Sequence, residues 1–210
     1  VSGGHARSPV ARPNLARTCG ACHANPDFLK RHAIDFAKPV EAFERSVHGR
    51  ELARGNLNAP SCSSCHGSHG ITRGSDRRSP MSRFNVATTC GTCHTAVQAA
   101  FLTSVHGQAS ARGVSRAPIC TYCHGEHDIL APSELGSLVN PARVSTVTCG
   151  ACHGDERLTR RFNLPPHQVP TFSQSFHGLS ARSGRQTVAN CASCHGIHNI
   201  LPSSDPRSMV

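Results

Sequence analysis

All twelve cysteines of this 210-residue chain fall in six copies of one pentapeptide, Cys-x-x-Cys-His. The copies are Cys19-Gly-Ala-Cys22-His23, Cys62-Ser-Ser-Cys65-His66, Cys90-Gly-Thr-Cys93-His94, Cys120-Thr-Tyr-Cys123-His124, Cys149-Gly-Ala-Cys152-His153 and Cys191-Ala-Ser-Cys194-His195. Two thiols one helical turn apart, followed at once by histidine, have the spacing of c-type haem attachment. The thiols add to the porphyrin vinyl groups and the imidazole takes the iron from below. Other chemistries of paired cysteines fit less well. A zinc ribbon brings its second pair roughly 15–20 residues after the first, whereas Cys22 and Cys62 are forty residues apart. Neither zinc nor a disulfide framework requires a histidine at the same offset six times. A thioredoxin-like dithiol needs one motif beside a βαβ pattern, and none is visible. The expected cofactors are therefore six haem c groups, each with its iron.

A chain carrying that much porphyrin needs little core of its own. Leu, Ile, Val and Phe number 40 of 210 residues, just under the roughly one-fifth below which a chain struggles to fold by burying its own side chains. Six flat apolar macrocycles would supply the missing surface. Their propionates also correct the formal charge of +10. Six bis-histidine haems contribute roughly −6 to −12, leaving between about +4 and −2, a balance that no longer asks for a polyanionic partner. With no Trp and one Tyr, and no dense Lys/Arg run, nucleic acid is not an expected partner.

No run of about eighteen apolar residues exists, so no membrane span is expected. The opening Val1-Ser-Gly-Gly-His5 lacks the charged and apolar regions of a signal peptide, which reads as a processed form. Haem of this type is attached outside the cytoplasm, and the expected location is the periplasm, the cell surface or the exterior.

The motifs recur in three units, here taken as 16–73, 87–133 and 146–203 within one 210-residue body. Each unit opens with Thr-Cys-Gly-x-Cys-His and continues to Phe-x-x-Ser-(Val/Phe)-His-Gly, whose histidines are His48, His106 and His177. Each closes with Cys-x-x-Cys-His-Gly-x-His, ending on His69, His127 and His198. The middle histidine precedes the second cysteine pair by fourteen residues every time, whereas the gap before it is 25, 12 and 24 residues. The outer units therefore carry an insertion, each with a spare histidine, His32 and His167. Segments 73–80 and 132–136 read as surface connections. The expected fold is mainly α and coil with little or no sheet, an elongated array of three di-haem repeats. Apolar stripes predict helices over 95–111 and 40–53.

Six irons need six further ligands. Met81 lies in a polar loop and Met209 next to the end, so histidine is the expected second ligand. The repeated histidines match the irons in number: His48, His106, His177, His69, His127 and His198. A closing histidine lies three residues after the proximal one, and three residues span at most roughly 10 Å. That tether cannot cross the macrocycle, so the closing histidine is expected on a different haem. The fourteen-residue tether of the middle histidine reaches up to roughly 46 Å, and the expected wrap puts His48 on the haem of Cys62 and Cys65, with His106 and His177 following suit. His5, His32 and His167 are left over, and His5, on its Gly-flanked arm, is a candidate ligand to a neighbouring copy.

Across nearly its whole length the chain resembles the doubled Cys-x-x-Cys-His multihaem cytochromes, through its paired motifs and the Cys-His-Gly-x-His stitch at 62–69, 120–127 and 191–198. The resemblance implies stacked and T-shaped haem pairs and respiratory electron transfer to or from the cell exterior. In haem count the chain is also similar to the filament-forming cytochromes. The expected function is thus non-enzymatic electron transfer through low-potential bis-histidine haems, with redox proteins or extracellular acceptors as partners and a head-to-tail homo-oligomer as a possible assembly. The competing readings are a multihaem reductase of nitrite, hydroxylamine or a sulfur oxyanion, which needs one open iron, and a haem subunit of a membrane redox complex.

Overall fold

In a computed structural model, residues 7–34 and 38–210 are described. They form short helices joined by turns, the longest α-helices being the nine-residue Leu15–His23 and Thr95–Thr103, and there is no strand among the described residues. Gly and Pro, 18 and 14 of them, interrupt the chain too often for longer elements. Among the described residues no helix is long and apolar enough to cross a membrane. Among the described residues buried apolar side chains are few: Leu52, Val86, Ile119 and Leu158, with four alanines. Several of the most enclosed residues are serines, Ser46, Ser61, Ser79, Ser82 and Ser104, together with Asn140.

Those polar residues hold the loops. Each Thr that opens a first motif donates its hydroxyl to a carbonyl in the preceding connection: Thr18 to Pro9 (2.6 Å), Thr89 to Pro80 (2.7 Å) and Thr148 to Leu138. Asn85 Nδ2 donates to Arg77 and Ser79 carbonyls, and Asn140 Nδ2 to those of Pro132 and Glu134. The connections are therefore exposed ribbons whose backbone carbonyls are taken up from inside by amides and hydroxyls. The insertions of the outer repeats are extra helices, Pro26–Arg31 and Glu156–Arg161, started by Asn25 and Asp155, whose side chains accept from backbone N–H groups of the first turn.

The expected continuous helices over 40–53 and 95–111 are each broken. Pro39–Arg45 stops at Ser46, and a second helix, Val47–Ala53, begins there. Thr95–Thr103 stops at Ser104 before Val105–Ala111, and Gln168–Gln174 stops at Ser175 before Phe176–Arg182. One serine serves both sides of each break. Ser104 Oγ donates to the Phe101 carbonyl (2.6 Å) and accepts from Gly107 N–H (3.0 Å). Ser46 does the same with Phe43 and Gly49, and Ser175 with Phe172 and Gly178. A side chain on Gly49, Gly107 or Gly178 would overlap the carbonyl oxygen of Phe43, Phe101 or Phe172. Phe-x-x-Ser-x-His-Gly is thus a helix–cap–helix corner. The apolar stripe continues across it, which is why periodicity alone runs the two helices together.

The chain divides into two compact units. One comprises Val1–Cys90 with Gly125–Leu130, the other Gly91–His124 with Ala131–Val210. The division does not follow the sequence repeats. In the first unit the closing segment of repeat two lies on repeat one, with Val47 N–H donating to the Ile129 carbonyl at 2.9 Å. In the second the closing segment of repeat three lies on repeat two, and Val105 N–H donates to the Ile200 carbonyl at 2.9 Å.

Candidate haem-binding sites

The second motif of each repeat is a one-and-a-half-turn helix starting on its first cysteine: Cys62–His66, Cys120–His124 and Cys191–His195. Both thiols and the histidine then project from one short stretch. In two of the three, a serine inside the motif caps its own helix: Ser61 N–H donates to Ser64 Oγ and Asn190 N–H to Ser193 Oγ, each at 3.1 Å. The first motifs end longer elements. Cys19 to His23 form the last turn of Leu15–His23, and Cys149 closes a π-helical turn, Val144–Cys149, that runs into Gly150–His153.

After each second-motif histidine the backbone turns through a glycine with φ of +78° at Gly67, +83° at Gly125 and +83° at Gly196. With ψ near 180° at Gly67 and Gly196, this is a conformation open only to glycine. It carries the chain sharply away from the motif, so that the histidine two residues on is delivered elsewhere. The structure shows where. In the first unit His127 faces His66, with ring centres 5.9 Å apart and planes within 15°. In the second, His198 faces His124 at 5.9 Å and 19°. Imidazole–metal bonds of about 2.0–2.1 Å on opposite sides of one ion, with each ring centre about 1 Å behind its nitrogen, put ring centres about 6 Å apart. The spacing therefore fits an iron held between two imidazoles.

A third pair has the same spacing and a different composition. His106 faces His153, ring centres 6.2 Å apart, with planes crossed at 58°. The expected wrap puts His106 on the haem of its own repeat; in the structure its ring lies beside that of His153, in the first motif of the following repeat. Two observations explain this. The corner at Ser104 starts a fresh helix that carries His106 away from its own second motif, and the position opposite His124 is taken by His198.

Neighbouring sites are close within each unit. Burial raises the Cys62 thiol to about 11, with Cys19 beside it adding to the effect. Cys149 and Cys191 share a hydrogen bond that, ahead of burial, pushes Cys149 up, and that draws Cys191 down to about 6. The Cys123 thiol is raised by burial, then by Cys120 and Cys152. Burial also lowers the histidines, and their ring partners lower them further: His66 by His127, His124 by His198, and His106, down to about 4, by His153. His153 and His198 shift the same way, burial first, then His195 and His94 respectively. Neutral imidazole is the form that ligates metal, so burial prepares these rings for the role. Among the described residues no group of three or more His, Cys, Asp or Glu side chains converges as a metal cage would. The donors come as two-histidine axes with thiol pairs, which is the donor set of c-type haem.

The remaining candidates stand apart from these pairs. His23, His69, His94, His177 and His195 are exposed. His48 is half-buried on the helix Val47–Ala53, and His94 follows the helix Val86–Gly91. His32 ends the helix Pro26–Arg31 with its ring 4.4 Å from that of Phe28, and His167, with φ of +69°, begins Gln168–Gln174. His5 lies outside the described residues. The serine corners and the loop-binding threonines had no reading in the sequence. Their recurrence at fixed offsets from the histidines was the available signal.

Residues 41–125 match the family of cytochrome c7 and related cytochrome c. The matched stretch takes in His48, His106 and the second, third and fourth Cys-x-x-Cys-His motifs, and is similar to a multihaem c-type cytochrome domain. Haem c is the cofactor of that family, whose members are periplasmic and are typically electron carriers rather than enzymes. No curated protein and no solved structure matches the chain.

Proposed function

We propose that the chain carries six haem c groups, one on each Cys-x-x-Cys-His motif, and passes electrons along them outside the cytoplasm without transforming a substrate. The observation that carries this reading is the set of facing imidazoles, His66–His127, His124–His198 and His106–His153, at 5.9–6.2 Å. When bound, haem supplies a reversible one-electron couple at iron. The chain's residues do the rest. The cysteine pairs fix each macrocycle covalently, and at the three facing pairs the histidine axes fill both faces of the metal so that no substrate can reach it. The adjacency of Cys19 to Cys62, Cys123 to Cys152 and Cys149 to Cys191 brings successive attachment points side by side within each unit, as electron hopping requires. Two histidines per iron also favour low potential over the histidine–methionine pair. Redox proteins or extracellular acceptors are the fitting partners, and the periplasm or cell surface the fitting location.

Intact-mass spectrometry of the denatured protein tests the count. The expected result is about six haem masses above the polypeptide, and two or fewer would refute the reading.

A further inference from the structure

In repeats one and three a hydrogen bond ties the approach to the first motif to the approach to the second. In repeat one Arg12, seven residues before Cys19, donates from Nη2 to the carbonyl of Ala59, three residues before Cys62, at 2.7 Å. In repeat three the N–H of Cys191 donates to Ser145 Oγ at 3.0 Å, across 46 residues of chain. Neither repeat has the other's side chain. The position of Arg12 is Ala142 in repeat three, and the position of Ser145 is Leu15 in repeat one. Two unlike side chains at two unlike positions therefore close the same gap.

Ser145 is 4% exposed, and a buried hydroxyl is costly unless it is bonded. Val86 holds the same position in repeat two and is 1% exposed, so an apolar side chain packs there. The serine is in place for its bonds. It accepts from the first N–H of the helix Cys191–His195, a group with no partner inside the helix, while Asn190 takes the next at Ala192, 3.0 Å away. Its own hydrogen goes to the Cys191 sulfur, which accepts weakly as thiol or as thioether. The other end of the tie is the π-helical turn Val144–Cys149, a rare form that concentrates at functional positions. In both repeats the tie brings thiols together: Cys149 with Cys191, and Cys19 with Cys62.

We propose that Ser145 and Arg12 are positioning residues that fix the spacing of the two haems of their repeat, and through it the rate at which an electron passes between them. This rests on the haem reading above. Two cysteines and a histidine hold each macrocycle to its own motif, so the freedom that remains is that of one motif against the other. The bonds of Ser145 and Arg12 remove it. Electronic coupling falls steeply with separation, so a small loosening of the tie slows the exchange without detaching a haem or an axial ligand.

The test uses the haem-loaded full chain carrying Ser145→Val, Ser145→Thr or Arg12→Met. Circular dichroism in the Soret band reports spacing, because haems held close together give a paired positive and negative signal. Ser145→Val is expected to lose part of that paired signal, and Ser145→Thr, which keeps the hydroxyl, to retain it. Arg12→Met keeps the length of the side chain without its donor and is expected to lose a further part. The two changes act on separate haem pairs, so their losses should add. An unchanged Soret signal in Ser145→Val overturns the proposal whether or not the denaturant midpoint falls, since the serine would then support the fold and not the haem spacing. An equal loss in Ser145→Thr and Ser145→Val overturns it as well, because the hydroxyl would not matter. Absence of covalent haem in the mass spectrum would remove the haem reading itself, whereas six haems with an unchanged Soret signal in both Ser145→Val and Arg12→Met would remove the positioning role alone.

Discussion

His198 and His124 face each other across 5.9 Å with planes 19° apart, although 74 residues separate them. The near-parallel setting of this pair, and of His127 with His66, contrasts with the 58° crossing of His106 and His153. Relative rotation of axial imidazoles alters the electronic anisotropy of low-spin ferric iron. Two haem populations are therefore expected in the electron paramagnetic resonance spectrum of the oxidised protein, and one uniform signal would contradict the geometry.

Replacing His127 with Met should change the haem attached to Cys62 and Cys65 and leave the iron of His124 with its own pair. A sulfur ligand raises potential, so one haem should move upward by about 0.1 V or more, a modest part of the ≈ 0.8 V that axial ligation spans. Redox titration followed by optical spectroscopy checks the shift. A change in the haem of Cys120 and Cys123 instead would refute the pairing.

At the helix corner, Ser104→Ala removes both the cap on Gly107 and the bond to Phe101, an expected loss of about 1 kcal/mol. Gly107→Ala is expected to be worse, about 2–3 kcal/mol, because its methyl group overlaps the Phe101 carbonyl. Denaturant midpoints of the haem-loaded variants give the order. Equal midpoints would mean the corner opens without penalty.

How much of this is legible in the sequence differs by feature. Covalent attachment demands fixed spacing, so the sites at Cys19 to His195 can be read directly, and short helices follow from the density of Gly and Pro. The short tether is in keeping with where His127 and His198 lie, opposite His66 and His124 and not opposite the histidines of their own repeats. The destination of His106 is not legible. Fourteen residues reach many places, and the choice is made by the corner at Ser104, which the continuous apolar stripe conceals. The two-unit division is likewise hidden, since it arises where Ile129 and Ile200 dock on the preceding repeat.

Preventing haem attachment should leave the chain largely unfolded. The buried apolar side chains Leu52, Val86, Ile119 and Leu158 are few and scattered, far short of what offsets backbone entropy, about 1–2 kcal/mol per residue. Far-ultraviolet circular dichroism of protein made without the attachment machinery measures this. Retention of most of the helical signal would show a core independent of porphyrin.

Gly125→Ala places a methyl group where φ is +83°, a strain of about 1–3 kcal/mol, and turns the chain that delivers His127. The haem of Cys62 and Cys65 is expected to gain carbon monoxide binding while the haem of Cys120 and Cys123 does not. Unchanged ligand binding at both would mean that His127 is held by its docking segment and not by the turn.

On the proposed ligation the order of synthesis matters, because His66 faces a histidine of repeat two and His124 one of repeat three. An iron on His66 would acquire its second imidazole only once repeat two has been made as far as His127, and an iron on His124 only after His198, so maturation of those haems would trail synthesis by one repeat. The same arrangement makes lengthening by duplication simple: an extra repeat inserted in register would offer the same histidine pairing to its neighbours.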